Sequence, residues 1–336
     1  MKCIVKKHRF MAGILALAFC MSGCGQEIVP EQPYGVYAAA EALGIPAADS
    51  LEPDTAANKT GSPAFFGASL CVGGNTDLTA EGVTDSLSEA AGLFDVDNRE
   101  ILYARNIHAR LHPASTTKIL TAYVAIKYGD LSATTRVSEA ALQLEQGSSV
   151  CGLSVGDVIS LEQLLYGLLL CSGNDAAIAI AEMISGSQEA FAELMNQEAL
   201  ALGATNSHFV NSHGLTHEEH YTTLYDLYLI SQAAMEFALF REIIEAPSYH
   251  AAFQNQAGKQ VTKDWDTSNQ YLKGDKKAPE GVTVLGGKTG TTSAAGNCLV
   301  LFSQDSGGGL FISIVLKADG RDNLYVHMNE LLKKIE

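Results

Sequence analysis

Through the middle of the chain apolar residues recur at spacings of three and four. TKILTAYVAIKYG, LEQLLYGLLL, NDAAIAIAEMIS, QEAFAELMNQEALALG and TLYDLYLISQAAMEF all carry that period. It predicts a helical block from Ser115 to about Phe240, with Gly129 and Gly203 as C-caps. On either side the pattern changes to short apolar runs punctuated by Gly, Asn and Asp. FFGASLCV predicts that sheet begins near Phe65, and AAGLFDV and EILYAR, joined through DVDNRE, predict a β-hairpin. GVTVLGGKTG, GNCLVLFSQ and GLFISIVLKA predict three more strands, and a closing helix runs from about Asp322 to Lys334. The stretch KDWDTSNQYLKGDKKAPEG reads as polar connection. Strands at both ends with helices between predict an α/β (α+β) fold, in which N- and C-terminal strands share one antiparallel sheet around an inserted helical cluster.

The N-terminal residues follow neither period. Lys2, Lys6, Lys7 and Arg9 precede an apolar stretch from Phe10 to Met21, the layout of an export signal and too short to span a bilayer comfortably. It ends in Met21-Ser22-Gly23-Cys24, which resembles the bacterial lipobox, with Met21 in place of the usual leucine. The resemblance implies cleavage after residue 23, lipidation of Cys24 and anchoring to the outer face of the cytoplasmic membrane, since two acyl chains hold where one is marginal. Residues 24–63 have little apolar periodicity and read as a flexible tether, which leaves 64–336 as the folded domain. Removing residues 1–23 takes away four basic residues and no acidic ones, so the net charge goes from -16 to -20. Such acidity excludes sequence-independent nucleic-acid binding, which needs a lysine and arginine footprint. Beyond Cys24 there are four cysteines, Cys71, Cys151, Cys171 and Cys298, whose spacings match no zinc module and form no disulfide framework. Buried thiols are the expectation, with a single bridge left open in three pairing schemes.

Ser115 and Lys118 in HPASTTKIL stand three apart at the start of a predicted helix, hence on one face. An amine can take a proton from a neighbouring hydroxyl only when it is neutral, so this pair makes a nucleophile if Lys118 is desolvated or lies near another positive charge. Two later segments supply partners. CSGND puts Ser172 and Asn174 in the link between two apolar helices, and LGGKTGTT puts Lys288, Thr289 and Gly290 at the end of a strand. Ser172 can relay a proton to a leaving amine, and Asn174 can donate and accept toward a peptide. Lys288 and Thr289 suit a carboxylate, with Lys288 also helping to keep Lys118 neutral. Gly290 lets a substrate lie along the strand edge.

S-x-x-K, S-x-N and K-T-G in that order resemble the signature of class A β-lactamases and penicillin-binding proteins. The wider text, over residues 86–330, is similar to the serine D-alanyl-D-alanine carboxypeptidases of the S11 type, the low-molecular-mass penicillin-binding proteins. It runs through LFDVDNREILYARNIHARLHPASTTKILTAYVAI, GLSVGDVISLEQLLYGLLLCSGNDAAIAIAE and GGKTGTT. The resemblance implies a β-lactamase/transpeptidase-like fold and an acyl-enzyme on Ser115. It implies peptidoglycan stems ending in D-Ala-D-Ala as substrate, β-lactams as covalent inhibitors, no cofactor, and an oxyanion hole from the N–H groups of Ser115 and Thr291. The E-x-x-L-N stretch that positions the deacylating water in class A β-lactamases is absent, and Glu193-Leu194-Met195-Asn196 reads as helix surface and core. A sensor that acylates without turnover and a β-lactamase remain as alternatives. Many relatives continue into a β-rich domain and an amphipathic C-terminal helix, whereas this chain stops 46 residues after Gly290, and the lipid anchor is expected to replace that helix. In NSHGL, Ser212 replaces a proline common in relatives, which leaves that turn less rigid.

Other clusters read as structure. His208, His213, His217 and His220 crowd thirteen residues, but HGLTHEEHY has no zinc-protease spacing and lies in a loop, so no metal site is expected. Cys171 reads as a small buried hydrophobe rather than a redox switch, and Trp265 as local packing.

Overall fold

A computed structural model describes residues 67 and 69–335. The predicted export signal, Cys24 and the tether lie outside the described residues.

A five-stranded antiparallel sheet in the order β2-β1-β9-β8-β7 forms the frame. Its strands are β1 (Ser88–Asp95), β2 (Glu100–Arg105), β7 (Thr283–Thr292), β8 (Gly296–Gln304) and β9 (Leu310–Ala318). The first and last strands of the chain's sheet segments meet directly: β1 pairs with β9, Gly92 opposite Ile314. The predicted hairpin and C-terminal strands are therefore present, in one sheet built from both ends. Its inner strands read as unbroken apolar runs because both faces are covered. Leu299 and Leu301 pack with Leu324, Met328 and Leu331 of the closing helix α8 (Arg321–Leu332). Val300 and Phe302, one step out of phase, pack into the larger core. Phe302 is fully buried edge-on to Phe240, so truncation to alanine there would cost about 3–5 kcal/mol.

The helical block contains α1 (Lys118–Tyr128), α2 (Leu161–Leu169), α3 (Asn174–Ser185), α4 (Gln188–Ala201), α5 (Leu224–Met235) and α6 (Ala238–Glu245). Every residue of α1 from Lys118 to Ala125 is buried, which makes it the central helix and explains its weak amphipathicity. The neighbours begin at side-chain caps. Ser160 and Gln163 form a reciprocal capping box on α2, and Thr223 Oγ1 accepts from Asp226 N at 3.0 Å on α5. Gly129 caps α1, and Gly203 follows α4 in the left-handed conformation.

Two expectations need correction. At residues 67 and 69–72 FFGASLCV is turn and irregular backbone, held against the helices instead of in a sheet: Cys71 N donates to Tyr228 Oη at 2.9 Å. A second, four-stranded antiparallel sheet exists, in the order β3-β4-β5-β6, from β3 (Thr134–Arg136), β4 (Val158–Ser160), β5 (Ser248–Gln254) and β6 (Gln260–Asp266). Part of the predicted polar connection is thus strand β6, followed by the short helix α7 (Gln270–Lys273). The buried residues are Ala251 and Phe253 in β5 and Trp265 in β6, and β3 and β4 have three residues each, so none of these strands forms an apolar run.

Candidate active site

Ser115 lies in a 3-10 turn, Ala114–Thr117, that runs into α1 at Lys118. Hydroxyls pin the turn: Thr116 Oγ1 donates to Pro113 O at 2.7 Å and Thr117 Oγ1 to Ala114 O at 2.8 Å. Ala114 adopts a left-handed φ of 49°, a strained conformation held by its surroundings. Two glycines let other segments approach this turn. A Cβ on Gly214, itself at φ 86°, would fall 1.9 Å from Ala114 O, and one on Gly290 of β7 would fall 2.9 Å from Ser115 N. Gly290 therefore brings the strand against the serine's own backbone, which adds to the role the sequence suggested for it.

Lys118 is fully buried. Its Nζ lies 2.7 Å from Asn174 Oδ1, 2.7 Å from His213 O and 2.9 Å from Ser115 Oγ. Desolvation, then the charge of Lys288, holds its pKa well below the ordinary lysine range. A neutral amine has two protons and one lone pair. The two carbonyl oxygens can only accept, so they take both protons, and the lone pair is left facing the Ser115 hydroxyl. The arrangement is that of a base aimed at a nucleophile.

Ser172 sits between α2 and α3 in a left-handed conformation, φ 63°. The turn is closed by Gly173 N donating to Gly167 O at 3.1 Å. Lys288 Nζ donates to Ser172 Oγ at 3.0 Å, which leaves the serine's own proton for the cleft. Burial pulls the Lys288 pKa down to about 7. Lys288 is only 1% exposed, and its second partner is Thr289 O at 2.8 Å. It thus lies beneath the cleft floor and can act on a carboxylate through charge instead of contact. Asn174 is the first residue of α3 rather than part of the link, and its N–H donates to Ser149 O at 2.8 Å.

Two cavities adjoin at Ser115, Ser149 and Thr291. The first is lined by Ser172, Ser268, Thr289, Lys273 and Arg321, with Thr289 Oγ1 and Ser268 Oγ 2.7 Å apart. The second includes Glu145, Asn174, Thr216 and Thr292. All eight predicted site residues in the described region, Ser115, Lys118, Ser172, Asn174, Lys288, Thr289, Gly290 and Thr291, come together here. Sequence reasoning missed Ser149, Ser268, Lys273, Arg321 and Glu145. Arg321 stands at the start of α8, and no local pattern marks it as part of the cleft.

The other clusters have local partners. His220 Nε2 lies 2.9 Å from Thr117 Oγ1 while its Nδ1 accepts from Val210 N, and His208 Nδ1 lies 2.6 Å from Glu219 O. His213 and His217 accept from Leu215 N and Glu219 N. Trp265 is buried, donating from Nε1 to Cys151 O at 3.0 Å. Glu193 is exposed on α4, away from both cavities. Ser212 is tied rather than loose: its Oγ donates to Ala177 O at 2.9 Å and its O accepts from Thr121 Oγ1 at 2.6 Å.

A sequence profile of the peptidase S11 family, described as D-alanyl-D-alanine carboxypeptidase, matches residues 78–320. The chain belongs to that family. Among curated relatives, DacF of Bacillus subtilis is 35% identical over 153 residues, 45% of this chain and 39% of that protein. DacA of Escherichia coli is 32% identical over 254 residues, 70% of this chain and 58% of that protein. The chain therefore spans less than two thirds of both. The D-alanyl-D-alanine carboxypeptidase of Streptomyces sp. strain K15 is 34% identical over 263 residues, 74% of this chain and 88% of that protein. The crystal structure of the Streptomyces K15 DD-transpeptidase superposes with a TM-score of 0.69 at 28% identity, covering 75% of this chain and 98% of that one. The fold is the β-lactamase/transpeptidase-like one that the motifs implied.

Proposed function

We propose that the protein is a serine D-alanyl-D-alanine carboxypeptidase that trims the terminal D-alanine from peptidoglycan stem pentapeptides. The observation that carries this reading is the lone pair of Lys118, left facing Ser115 by two carbonyl acceptors. Ser115 Oγ gives its proton to Lys118 Nζ and attacks the carbonyl carbon of the penultimate D-alanine. The oxyanion is held by the N–H groups of Ser115 and Thr291, a type of contact whose loss typically costs about 10²–10³ in rate. On collapse the C–N bond breaks, and the proton taken up by Lys118 reaches the leaving nitrogen through the Ser172 hydroxyl. Water then loses a proton to Lys118, attacks the ester, and Ser115 leaves with its proton restored. The departing D-alanine carboxylate lies in the first cavity, where Thr289, Lys273 and Arg321 meet it and Lys288 supplies charge from below. β-Lactams acylate Ser115 by the same attack and stay attached as an ester.

We further propose that residues 1–23 are a lipoprotein signal, that lipidated Cys24 and a tether to residue 63 hold the catalytic domain, 64–336, at the outer face of the cytoplasmic membrane, and that no metal or cofactor takes part. The described residues contain no helix long and apolar enough to cross a membrane.

The test is D-alanine release from a pentapeptide ending in D-Ala-D-Ala by the full chain in detergent, beside Ser115→Ala. Release by the wild type alone supports both reaction and nucleophile. Stoichiometric penicillin labelling of Ser115 without release would replace the carboxypeptidase with a sensor, and rapid nitrocefin hydrolysis would replace it with a β-lactamase.

A further inference from the structure

Two cysteines that the mechanism does not use stand beside it. Cys171 immediately precedes the Ser172 turn, is partly exposed and lines the first cavity. Cys151 is buried behind it, in the loop leading to β4. Their Sγ atoms are 3.5 Å apart.

Several contacts keep these two sulfurs together across twenty residues of chain. Cys151 N donates to Asp175 Oδ1 at 2.8 Å, Leu153 N donates to Asp175 Oδ2 at 3.2 Å, and Cys151 O accepts from Trp265 Nε1 at 3.0 Å. Cys171 Sγ lies 3.2 Å from Gly167 O, which places it on the same side. Glycines make the space. A Cβ on Gly167 would fall 2.4 Å from Cys151 Sγ, and one on Gly173 would fall 2.1 Å from it. The Cys151 thiol thus occupies a slot that only glycine at both positions leaves open, with Cys171 at its mouth. The other described thiols have no such neighbour: Cys71 Sγ lies 3.2 Å from Asp95 O and Cys298 Sγ 3.5 Å from Ala295 O, both fully buried.

We propose that Cys151 and Cys171 are an oxidisable pair whose disulfide staples the Ser172 turn to the loop carrying Ser149. The sulfurs must move about 1.5 Å closer to reach the bonding distance of roughly 2.05 Å, a change within reach of side-chain rotation. The co-reactant is a low-molecular-mass disulfide that enters by the cleft. The Cys171 thiolate attacks one of its sulfurs, forming a mixed disulfide and expelling one thiolate. The Cys151 thiol loses its proton and attacks the Cys171 sulfur, expelling the second thiol. Two protein thiols become one disulfide, and one external disulfide becomes two thiols. The order of attack follows from access and from thiolate character. The neighbouring Cys151 and the Lys288 charge draw the Cys171 pKa down, while burial pushes that of Cys151 well up.

The staple closes a loop of twenty residues, which constrains the unfolded chain. It also fixes two segments that already meet through Asn174 N and Ser149 O. Its effect is expected as a rise in Tm of about 5 °C.

The test uses the full chain, purified reduced in detergent and then equilibrated with oxidised glutathione. Free thiols are blocked with N-ethylmaleimide before digestion and mass spectrometry. The expected product is a Cys151–Cys171 cross-linked peptide, two hydrogens lighter than its separate parts, with Cys71 and Cys298 alkylated only after unfolding. Oxidation raises Tm, and dithiothreitol reverses the rise. In Cys151→Ser the resolving thiol is gone, so Cys171 should instead keep glutathione as a stable mixed disulfide, with no rise in Tm. A wild-type protein that accumulates the mixed disulfide, or leaves both thiols alkylatable, overturns the pair. A cross-link that forms without raising Tm overturns the staple. None of these readouts requires turnover, so they are independent of the reaction proposed above.

Discussion

Two lysines are buried in one cleft, and burial lowers the pKa of both, yet they are equipped for different work. Lys118 faces two carbonyl oxygens and one hydroxyl, so that as a neutral amine its lone pair has one destination, Ser115. Lys288 faces the Ser172 hydroxyl and the Thr289 carbonyl, and its pKa is pulled only to about 7, which leaves it partly charged near neutrality. The charge on Lys288 adds to the desolvation that depresses Lys118. Desolvation makes a lysine easy to deprotonate, and the acceptors around it decide whether it becomes a base or remains a charge.

Replacing Lys118 tests that contrast most severely. Lys118→Met keeps the volume and removes the lone pair, and the second-order rate of penicillin acylation should fall about 10³-fold or more, within the range a positioned base contributes or beyond it. Lys118→Arg should fall as far, because a guanidinium stays protonated and offers no lone pair. An arginine variant that still acylates at a tenth of the wild-type rate would show that charge, not proton transfer, is what position 118 supplies.

On the Lys288 side the corresponding probe is Ser172→Ala. It removes the hydroxyl that accepts from Lys288, and with it the proposed proton relay, without touching the Ser115–Lys118 pair. Release of D-alanine should drop about 10²-fold. Penicillin should still label Ser115 stoichiometrically at long incubation. Loss of labelling altogether would mean that Ser172 supports the nucleophile itself.

The same contrast explains what could be read from the chain in advance. The Ser115–Lys118 side was legible because its parts are three residues apart on a helix, and local spacing carried the chemistry. The five-stranded sheet was legible because its inner strands are covered on both faces and so write continuous apolar runs, as Val300 and Leu301 do on opposite sides of β8. The four-stranded sheet left no such mark, since Tyr249, Ala251 and Phe253 alternate with exposed or polar neighbours. The first cavity was only half legible. Thr289 belongs to a short motif, but Lys273 and Arg321 arrive from α7 and α8 through tertiary packing alone. FFGASLCV misled for the opposite reason: among its described residues Leu70 and Cys71 pack into the core, Cys71 beneath Tyr228, with no strand partner, while Val72 is exposed.

Arg321 separates contact from charge in that cavity. It is exposed at the rim, whereas Lys288 is enclosed below. Arg321→Gln should raise KM for an acid-ended peptide about tenfold and leave kcat nearly unchanged, the signature of lost uniform binding. The effect should vanish on a peptide whose C-terminus is amidated. An equal rise on both peptides would remove Arg321 from carboxylate recognition and leave that task to Lys273 and Thr289.

The smallest effect concerns how the first wall of the cleft is held. His220 is almost fully buried, its Nε2 at Thr117 Oγ1 beside the nucleophile turn and its Nδ1 accepting from Val210 N. Burial, reinforced by His112, His208 and His217, lowers its pKa to about 3. Above pH 6.5 the ring is neutral in both folded and unfolded chains and adds no pH dependence. Between 6.5 and about 3 the unfolded chain binds a proton that the folded one refuses, so stability falls as pH falls through that window. Protonation at Nδ1 would also turn the acceptor for Val210 N into a second donor. His220→Gln keeps one acceptor and one donor without titrating. It should lower Tm by a few degrees at pH 7.5, about the effect of a loosened buried hydrogen bond, yet lose less Tm than the wild type between pH 6.5 and 4.5. Parallel Tm curves for the two proteins across that window would assign the acid sensitivity elsewhere, with His213, also lowered to about 3, the next residue to replace.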